Sequence, residues 1–145
     1  MNPSIFLFLC SSFADVAPLF EQACPIELQG KVVTFIPTAS TPESYKEYVK
    51  LGQKSLEGLG LKVLPLDVAT ASSEEIRSTL SEGDLIYVSG GNTFYLLQEL
   101  KRKGADKLIQ EEIEGGKPYI GESAGAMILA PSIEYVRLMD ETHVA

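Results

Sequence analysis

The sequence of 145 residues contains no tryptophan, a single histidine and only two cysteines, Cys10 and Cys24. Two cysteines are too few for the disulfide framework of a small secreted domain. Together with one histidine they cannot supply the four ligands of a structural zinc site. We therefore expect reduced thiols and no structural zinc site, and no cofactor is predicted.

Basic residues and long hydrophobic runs are also scarce. Twelve Lys and Arg stand against twenty Asp and Glu, giving a net charge of −8, which disfavours binding to nucleic acid or to an anionic membrane. The apolar run at residues 5–9 has no preceding Lys or Arg and is shorter than a signal-peptide core of about seven residues. A membrane-spanning helix needs about 20 apolar residues. These features favour a buried first strand in a cytoplasmic protein.

Short apolar strands alternate with helical segments about five times along the chain. Pro18 should delay or kink the first helix, Thr41-Pro42 is typical of a helix start, and Ser72 with Glu75 forms a capping box. Strands buried on both faces and joined by helices predict an α/β fold with a mostly parallel sheet. The predicted strands are 5–9, 32–36, 61–66, 84–88 and 117–120.

Two glycine-rich loops, residues 89–93 and 121–126, each follow a predicted strand. In open parallel sheets the ligand binds beyond the carboxyl ends of the strands, so both loops should lie at that edge. The second loop contains Gly121-Glu-Ser-Ala-Gly125, which fits the Gly-x-Ser-x-Gly pattern of a nucleophile elbow. Small neighbours permit the tight turn that would present Ser123. A plain turn or a phosphate-binding loop would also fit glycine-rich segments of this kind.

The backbone around the elbow suggests an oxyanion hole. The N–H of Ala124 is a natural donor to a developing oxyanion, and the N–H of Gly91 in the other loop is a candidate for the second donor. Glycine at position 91 would let a substrate carbonyl approach the backbone closely.

Two long motifs carry a family resemblance. The segment Tyr87-Val-Ser-Gly-Gly-Asn-Thr-Phe-Tyr-Leu-Leu97, followed by Gly121-Glu-Ser-Ala-Gly-Ala126, resembles the peptidase E (aspartyl dipeptidase) family of serine peptidases, which also contains cyanophycinase. The similarity extends to residues 30–39 and 61–67. It implies a flavodoxin-like three-layer sandwich related to class I glutamine amidotransferases. It also implies metal-free cleavage after an N-terminal aspartate in short peptides.

The resemblance assigns roles to particular residues of this sequence. Ser123 is the implied nucleophile, Gly91 and Ala124 are the implied oxyanion donors, and Asn92 and Thr93 would border the substrate site. The expected partner is a short peptide, with neither nucleic acid nor membrane, and a homodimer is left open.

The chain departs from the family pattern at its C-terminal side. Family members are longer, so residues 1–145 resemble the first two thirds of a single domain and are expected to be C-terminally truncated. The family's catalytic histidine, in a Pro-His-aromatic motif, has no counterpart here. His143 lies close to the chain end, where a solvated side chain is the expectation. For the triad acid we favour Asp140 over Glu141, and we interpret Glu134 as exposed.

Position 122 also bears on specificity. Glu122 occupies the variable position of the elbow, where a carboxylate would repel an acidic substrate side chain unless it points away. Two hypotheses follow for function. The first is a dipeptidase E-like serine hydrolase, with the activity of this chain left open. The second is a non-catalytic flavodoxin-like module that binds a small anionic ligand at the glycine-rich loops.

Overall fold

The computed structural model describes residues 5–44 and 46–129. These residues contain one parallel five-stranded sheet with strand order β1-β5-β4-β2-β3. The strands are β1 (Leu7–Cys10), β2 (Val32–Ile36), β3 (Lys62–Pro65), β4 (Leu85–Val88) and β5 (Tyr119–Glu122). The helices are α1 (Phe13–Ala23), α2 (Glu47–Gly58), α3 (Ser73–Glu82), α4 (Thr93–Lys103), α5 (Ala105–Glu114) and α6 (Ala124–Met127).

Helices cover both faces of the sheet, as the strand pattern predicts. On one face, α1 and α2 bury a cluster that includes Phe13, Phe20, Phe35 and Tyr87. On the other face, α3, α4 and α5 enclose a second cluster, which is aliphatic apart from Tyr119. All residues of the central strand β4 are buried, which explains its uninterrupted apolar sequence. The α/β fold with a parallel sheet is confirmed.

Local helix signals behave as predicted at several ends. The Ser72 hydroxyl oxygen accepts a hydrogen bond from the Glu75 N–H at 3.1 Å, so the capping box opens α3. Gly104 adopts a left-handed conformation with φ 72°, which separates α4 from α5. No helix within residues 5–44 and 46–129 is long and apolar enough to cross a membrane.

The predicted helix start at Thr41-Pro42 is wrong. Residues Thr38–Ser40 form a short 3₁₀ helix, and α2 begins at Glu47. Thr41 closes the 3₁₀ turn by donating its N–H to the Thr38 carbonyl at 3.1 Å. Its backbone is helical, with φ −52° and ψ −46°, whereas an N-cap residue requires an extended backbone.

Helix α1 is also less disturbed than expected, because it runs without interruption through Pro18. Pro18 is exposed, so water can reach this part of the helix. Proline removes one hydrogen bond from the helix. Burial of Phe13, Ala17 and Phe20 on the opposite face keeps the helix against the sheet.

Strands β1 and β5 differ from the sequence expectation. Within the described residues β1 is an edge strand, and Leu7 and Leu9 are 42% and 49% exposed, so the prediction of a buried first strand holds for only one of its faces. Strand β5 ends at Glu122 rather than at residue 120, because Gly121 and Glu122 pair with β1. The direction of the Glu122 side chain is therefore set by the alternation of a strand.

Candidate active site

The two glycine-rich loops meet at the carboxyl edge of the sheet, where β4 and β5 lie side by side. A Cβ atom placed on Gly90 would lie 3.2 Å from the Cβ of Ser123. A pocket of about 280 Å³ opens at this point, and both loops line it together with Ser11, Ser12, Glu43 and Tyr48. The predicted proximity of the loops is confirmed.

Ser123 has the strained backbone expected of a nucleophile elbow. Its φ of 53° and ψ of −104° make it the one non-glycine residue with positive φ in residues 5–44 and 46–129. The turn is held by the Ser123 N–H, which donates to the Cys10 carbonyl at 2.7 Å, and by the Met127 N–H, which donates to the Ser123 carbonyl at 3.0 Å. Ser123 is exposed and lines the pocket. Strain of this kind persists only where the surrounding structure imposes it.

The glycines of the elbow are required by close backbone approaches. A Cβ on Gly121 would lie 2.6 Å from the Gly125 carbonyl oxygen, and a Cβ on Gly125 would overlap the Val88 carbonyl. The Tyr119 hydroxyl donates to the same Gly125 carbonyl at 2.6 Å. The Gly-x-Ser-x-Gly pattern therefore has the steric basis inferred from the sequence.

The two residues predicted to supply oxyanion donors are placed differently: Gly91 lines the pocket, whereas Ala124 directly follows Ser123 and is only 1% exposed. Among the described residues, neither the Gly91 N–H nor the Ala124 N–H donates a hydrogen bond to the protein. Gly91 has φ 144°, and a Cβ there would overlap the Ala39 carbonyl, so its close packing also demands glycine. The Asn92 N–H fixes the same loop by donating to the Ala39 carbonyl at 2.8 Å.

Other predicted site residues are placed differently. The Asn92 side chain caps α4 by accepting from the Tyr95 N–H at 2.8 Å, and Thr93 is only 1% exposed in the first turn of that helix. Neither residue lines the pocket, and their contact with substrate stays a prediction. The proposed acid Asp140, together with Glu134, Glu141 and His143, lies outside the described residues.

Glu122 has a role that the sequence interpretation missed. It is 3% exposed, and its Oε2 accepts from the Phe13 N–H at 2.8 Å while Oε1 accepts from the Gly90 N–H at 3.4 Å. The sequence carried a signal for this role. Side chains two residues apart in a strand share a face, and Ile120, two residues before Glu122, packs in the cluster that contains residues of α1. Ser11 and Ser12 were also missed, although they follow β1 at the same sheet edge.

The buried Glu122 carboxylate changes the ionisation of its neighbours. Burial, followed by the negative charge of Glu122, raises the pKa of the Cys10 thiol to about 12. Burial, with the charges of Glu43 and Glu122, likewise raises the pKa of Tyr48 to about 12. Cys10 and Tyr48 therefore keep their protons near pH 7, so neither of them can act as the base that accepts the Ser123 proton.

Metal chemistry has no evident ligand set in the described part of the chain. Residues 5–44 and 46–129 contain no group of three His, Cys, Asp or Glu side chains arranged to hold a metal ion. The pocket lining instead includes three serine side chains and the backbone of Gly91, which are groups of the kinds used in nucleophilic catalysis.

Comparison with known proteins adds sequence evidence. The model of Peptidase family S51 matches residues 7–145. An uncharacterized peptidase of Listeria monocytogenes is 62% identical over 139 residues, which cover 96% of this chain and 67% of that protein. A peptidase E of Haemophilus influenzae is 34% identical over 107 residues, covering 74% of this chain and 47% of that enzyme.

Solved structures agree with these relatives. A 1.5 Å crystal structure of a Listeria monocytogenes EGD-e protein matches with a TM-score of 0.91 and 60% identity, covering 97% of this chain and 69% of that one. A peptidase from an acI-B1 Actinobacterium matches with a TM-score of 0.63 and 28% identity, covering 86% of this chain and 57% of that one. The chain thus spans about two thirds of the length of the Listeria relatives that it matches. The parallel sheet is consistent with a class I glutamine amidotransferase-like fold, and the chain belongs to Peptidase family S51, the peptidase E family.

Proposed function

We propose that the protein is a serine peptidase that hydrolyses short peptides with an N-terminal aspartate through an acyl-enzyme on Ser123. One observation carries this proposal: the strained, exposed Ser123 stands beside the Gly91 and Ala124 N–H groups, which have no acceptor in the described residues. This arrangement is not expected around a structural serine, because backbone strain and N–H groups without an acceptor both lower the stability of the fold.

The proposed reaction has two steps. The Ser123 hydroxyl oxygen attacks the scissile carbonyl carbon and gives its proton to a base, while the oxyanion accepts hydrogen bonds from Gly91 and Ala124. The C–N bond then breaks, and the departing amine receives a proton. Water attacks the resulting ester, which releases the aspartate and restores the serine hydroxyl.

The base that takes the Ser123 proton needs an acid to orient it. We propose Asp140 as the acid that orients the base, with Glu141 as the alternative. The proposal does not use His143, because it follows the proposed acid Asp140 by only three residues in the sequence.

An aspartyl substrate requires that the Glu122 carboxylate not face the substrate side chain. Two backbone N–H groups, from Phe13 and Gly90, each donate a hydrogen bond to one oxygen of that carboxylate, which lines the pocket but is only 3% exposed. This arrangement supports aspartate as a substrate residue, with Asn92 and Thr93 proposed to border its site. The partly buried Glu43 remains a source of negative charge in the lining.

The alternative of a non-catalytic module for a small anion has weaker support. Helix α6 is only four residues long, so its dipole offers little attraction to an anion. A non-catalytic module would also not account for the backbone strain at Ser123.

The proposal is tested by measuring the hydrolysis of Asp-X dipeptides by the full-length gene product. Ser123→Ala should lower kcat by about 10,000-fold or more, because members of a catalytic triad act as a unit. Ser78→Ala is the matched control, since the Ser78 hydroxyl is exposed on α3 and bonds only within its own helix. Hydrolysis that survives Ser123→Ala would contradict the proposal, and hydrolysis lost in His143→Ala would make His143 the base.

A further inference from the structure

A buried carboxylate joins three segments of the chain next to the proposed nucleophile. Glu122 ends β5 and immediately precedes Ser123. Its Oε2 accepts from the Phe13 N–H at the start of α1, and its Oε1 accepts from the Gly90 N–H in the neighbouring loop. Gly90 is bonded directly to Gly91, the proposed oxyanion donor.

We propose that Glu122 is a positioning residue, whose carboxylate holds the Gly90-Gly91 loop against the Ser123 elbow and so sets the distance between nucleophile and oxyanion donor. This inference rests on the proposed function for its kinetic consequence. Its structural part, the bridging of two backbone amides by one carboxylate, can be tested without any activity.

The surroundings explain why a side chain with two hydrogen-bond acceptors suits this position. Phe13 is the first residue of an eleven-residue helix, where unpaired N–H groups favour a negative charge. The Ser12 side chain, which stands at the N-cap position, makes no capping hydrogen bond, so Glu122 satisfies an amide of that helix from a distant strand. The 3% exposure of Glu122 leaves its bonds poorly accessible to competing water.

The loop has other attachments, and they do not replace this one. The Ser89 N–H donates to the Ile36 carbonyl at 3.1 Å, and the Asn92 N–H donates to the Ala39 carbonyl at 2.8 Å. Both bonds tie the loop to the β2 side of the sheet. The bond from Gly90 to Glu122 ties it to the β5 side, where Ser123 is located.

Replacement of Glu122 by glutamine tests the proposal because it keeps the shape but exchanges one acceptor oxygen for an amino group. Either the Phe13 N–H or the Gly90 N–H then faces the glutamine amino group, which is a donor and cannot accept its hydrogen bond. We expect kcat for Asp-X dipeptides to fall about 10- to 100-fold with KM within about twofold, since a small displacement of a catalytic donor costs rate in this range. A rise in kcat would show that the Glu122 charge mainly opposes the oxyanion, and it would overturn the proposal.

Amide hydrogen exchange supplies the readout that needs no substrate. In the unaltered protein the Phe13 and Gly90 amides should exchange at least about tenfold more slowly than the Gly91 amide, which lacks an acceptor in the described residues. Glu122→Gln should speed exchange at Gly90 by a similar factor. Equal rates at Gly90 and Gly91 in the unaltered protein would overturn the proposal even if the variant failed to fold.

Glu99→Gln is the matched control for both measurements. Glu99 is also buried, at 5% exposure, but its carboxylate bonds to the Arg102 and Gln98 side chains on α4. The Glu99→Gln variant should leave amide exchange at Gly90 unchanged. If the unaltered protein hydrolyses no Asp-X dipeptide, the proposed function fails, and the exchange data still decide the role of Glu122.

Discussion

Replacing Ser123 by glycine should stabilise the fold while removing the proposed nucleophile. Ser123 holds φ 53° and ψ −104°, a conformation that glycine adopts readily and that a side chain makes costly. Such strain costs about 1–3 kcal/mol per residue. Glycine also increases the entropy of the unfolded chain, which offsets about 0.5–1 kcal/mol.

The expected net gain in the free energy of unfolding is about 1 kcal/mol, or about 3 °C in Tm. Loss of the hydroxyl should cost little, because Ser123 is exposed and its side chain makes no capping bond to α6. Ser123→Ala separates the two effects. It keeps the Cβ and the strain, so its free energy of unfolding should stay within about 0.5 kcal/mol of the unaltered protein.

Urea denaturation followed by far-ultraviolet circular dichroism is the suitable assay, since the chain has no tryptophan for fluorescence. The three proteins should share one m-value, so that differences in midpoint report stability alone. If Ser123→Gly is no more stable than Ser123→Ala, the backbone at position 123 stores no strain, and the structural argument for a nucleophile elbow is refuted.

Three further predictions concern stability. Gly125→Ala should lower the free energy of unfolding by about 1–3 kcal/mol, because its Cβ would overlap a β4 carbonyl, whereas Gly58→Ala, with open space around it, should be neutral or stabilising in the same urea assay. Stability should be full below about pH 9 and fall toward pH 12, because the unfolded chain loses the protons of Cys10 and Tyr48 before the folded protein does; a flat profile of midpoint against pH would contradict this. Ser72→Ala should cost about 1 kcal/mol through the lost cap of α3, and an unchanged melting temperature would show the cap to be unimportant.

Much of the fold follows from short-range patterns in the sequence. The alternation of apolar strands with amphipathic helices predicts a parallel sheet, and the capping box at Ser72 and the break at Gly104 are confirmed. These features depend on residues close together in the chain. The same signals were misleading at Thr41-Pro42, where a 3₁₀ turn after β2 occupies the residues that a helix start would need.

The candidate site also has features that the local sequence predicted and features that depend on tertiary packing. The Gly-x-Ser-x-Gly pattern predicted the elbow, because its steric requirement is local, and the loop at Gly91 was expected nearby from the geometry of parallel sheets. Local signals could not show that Thr93 is buried. Its burial depends on how α4 packs against the rest of the molecule.

The sequence by itself determined the order and type of most elements, the position of the strained serine and the family, because each is encoded in contiguous residues. The tertiary structure decided the sheet order, the exposure of one face of β1 and the use of Glu122 as a bridge. Phe13 and Gly90 lie 109 and 32 residues from Glu122 in the chain. Contacts over such separations depend on the packing of the whole sheet, and a single sequence carries no local mark of them.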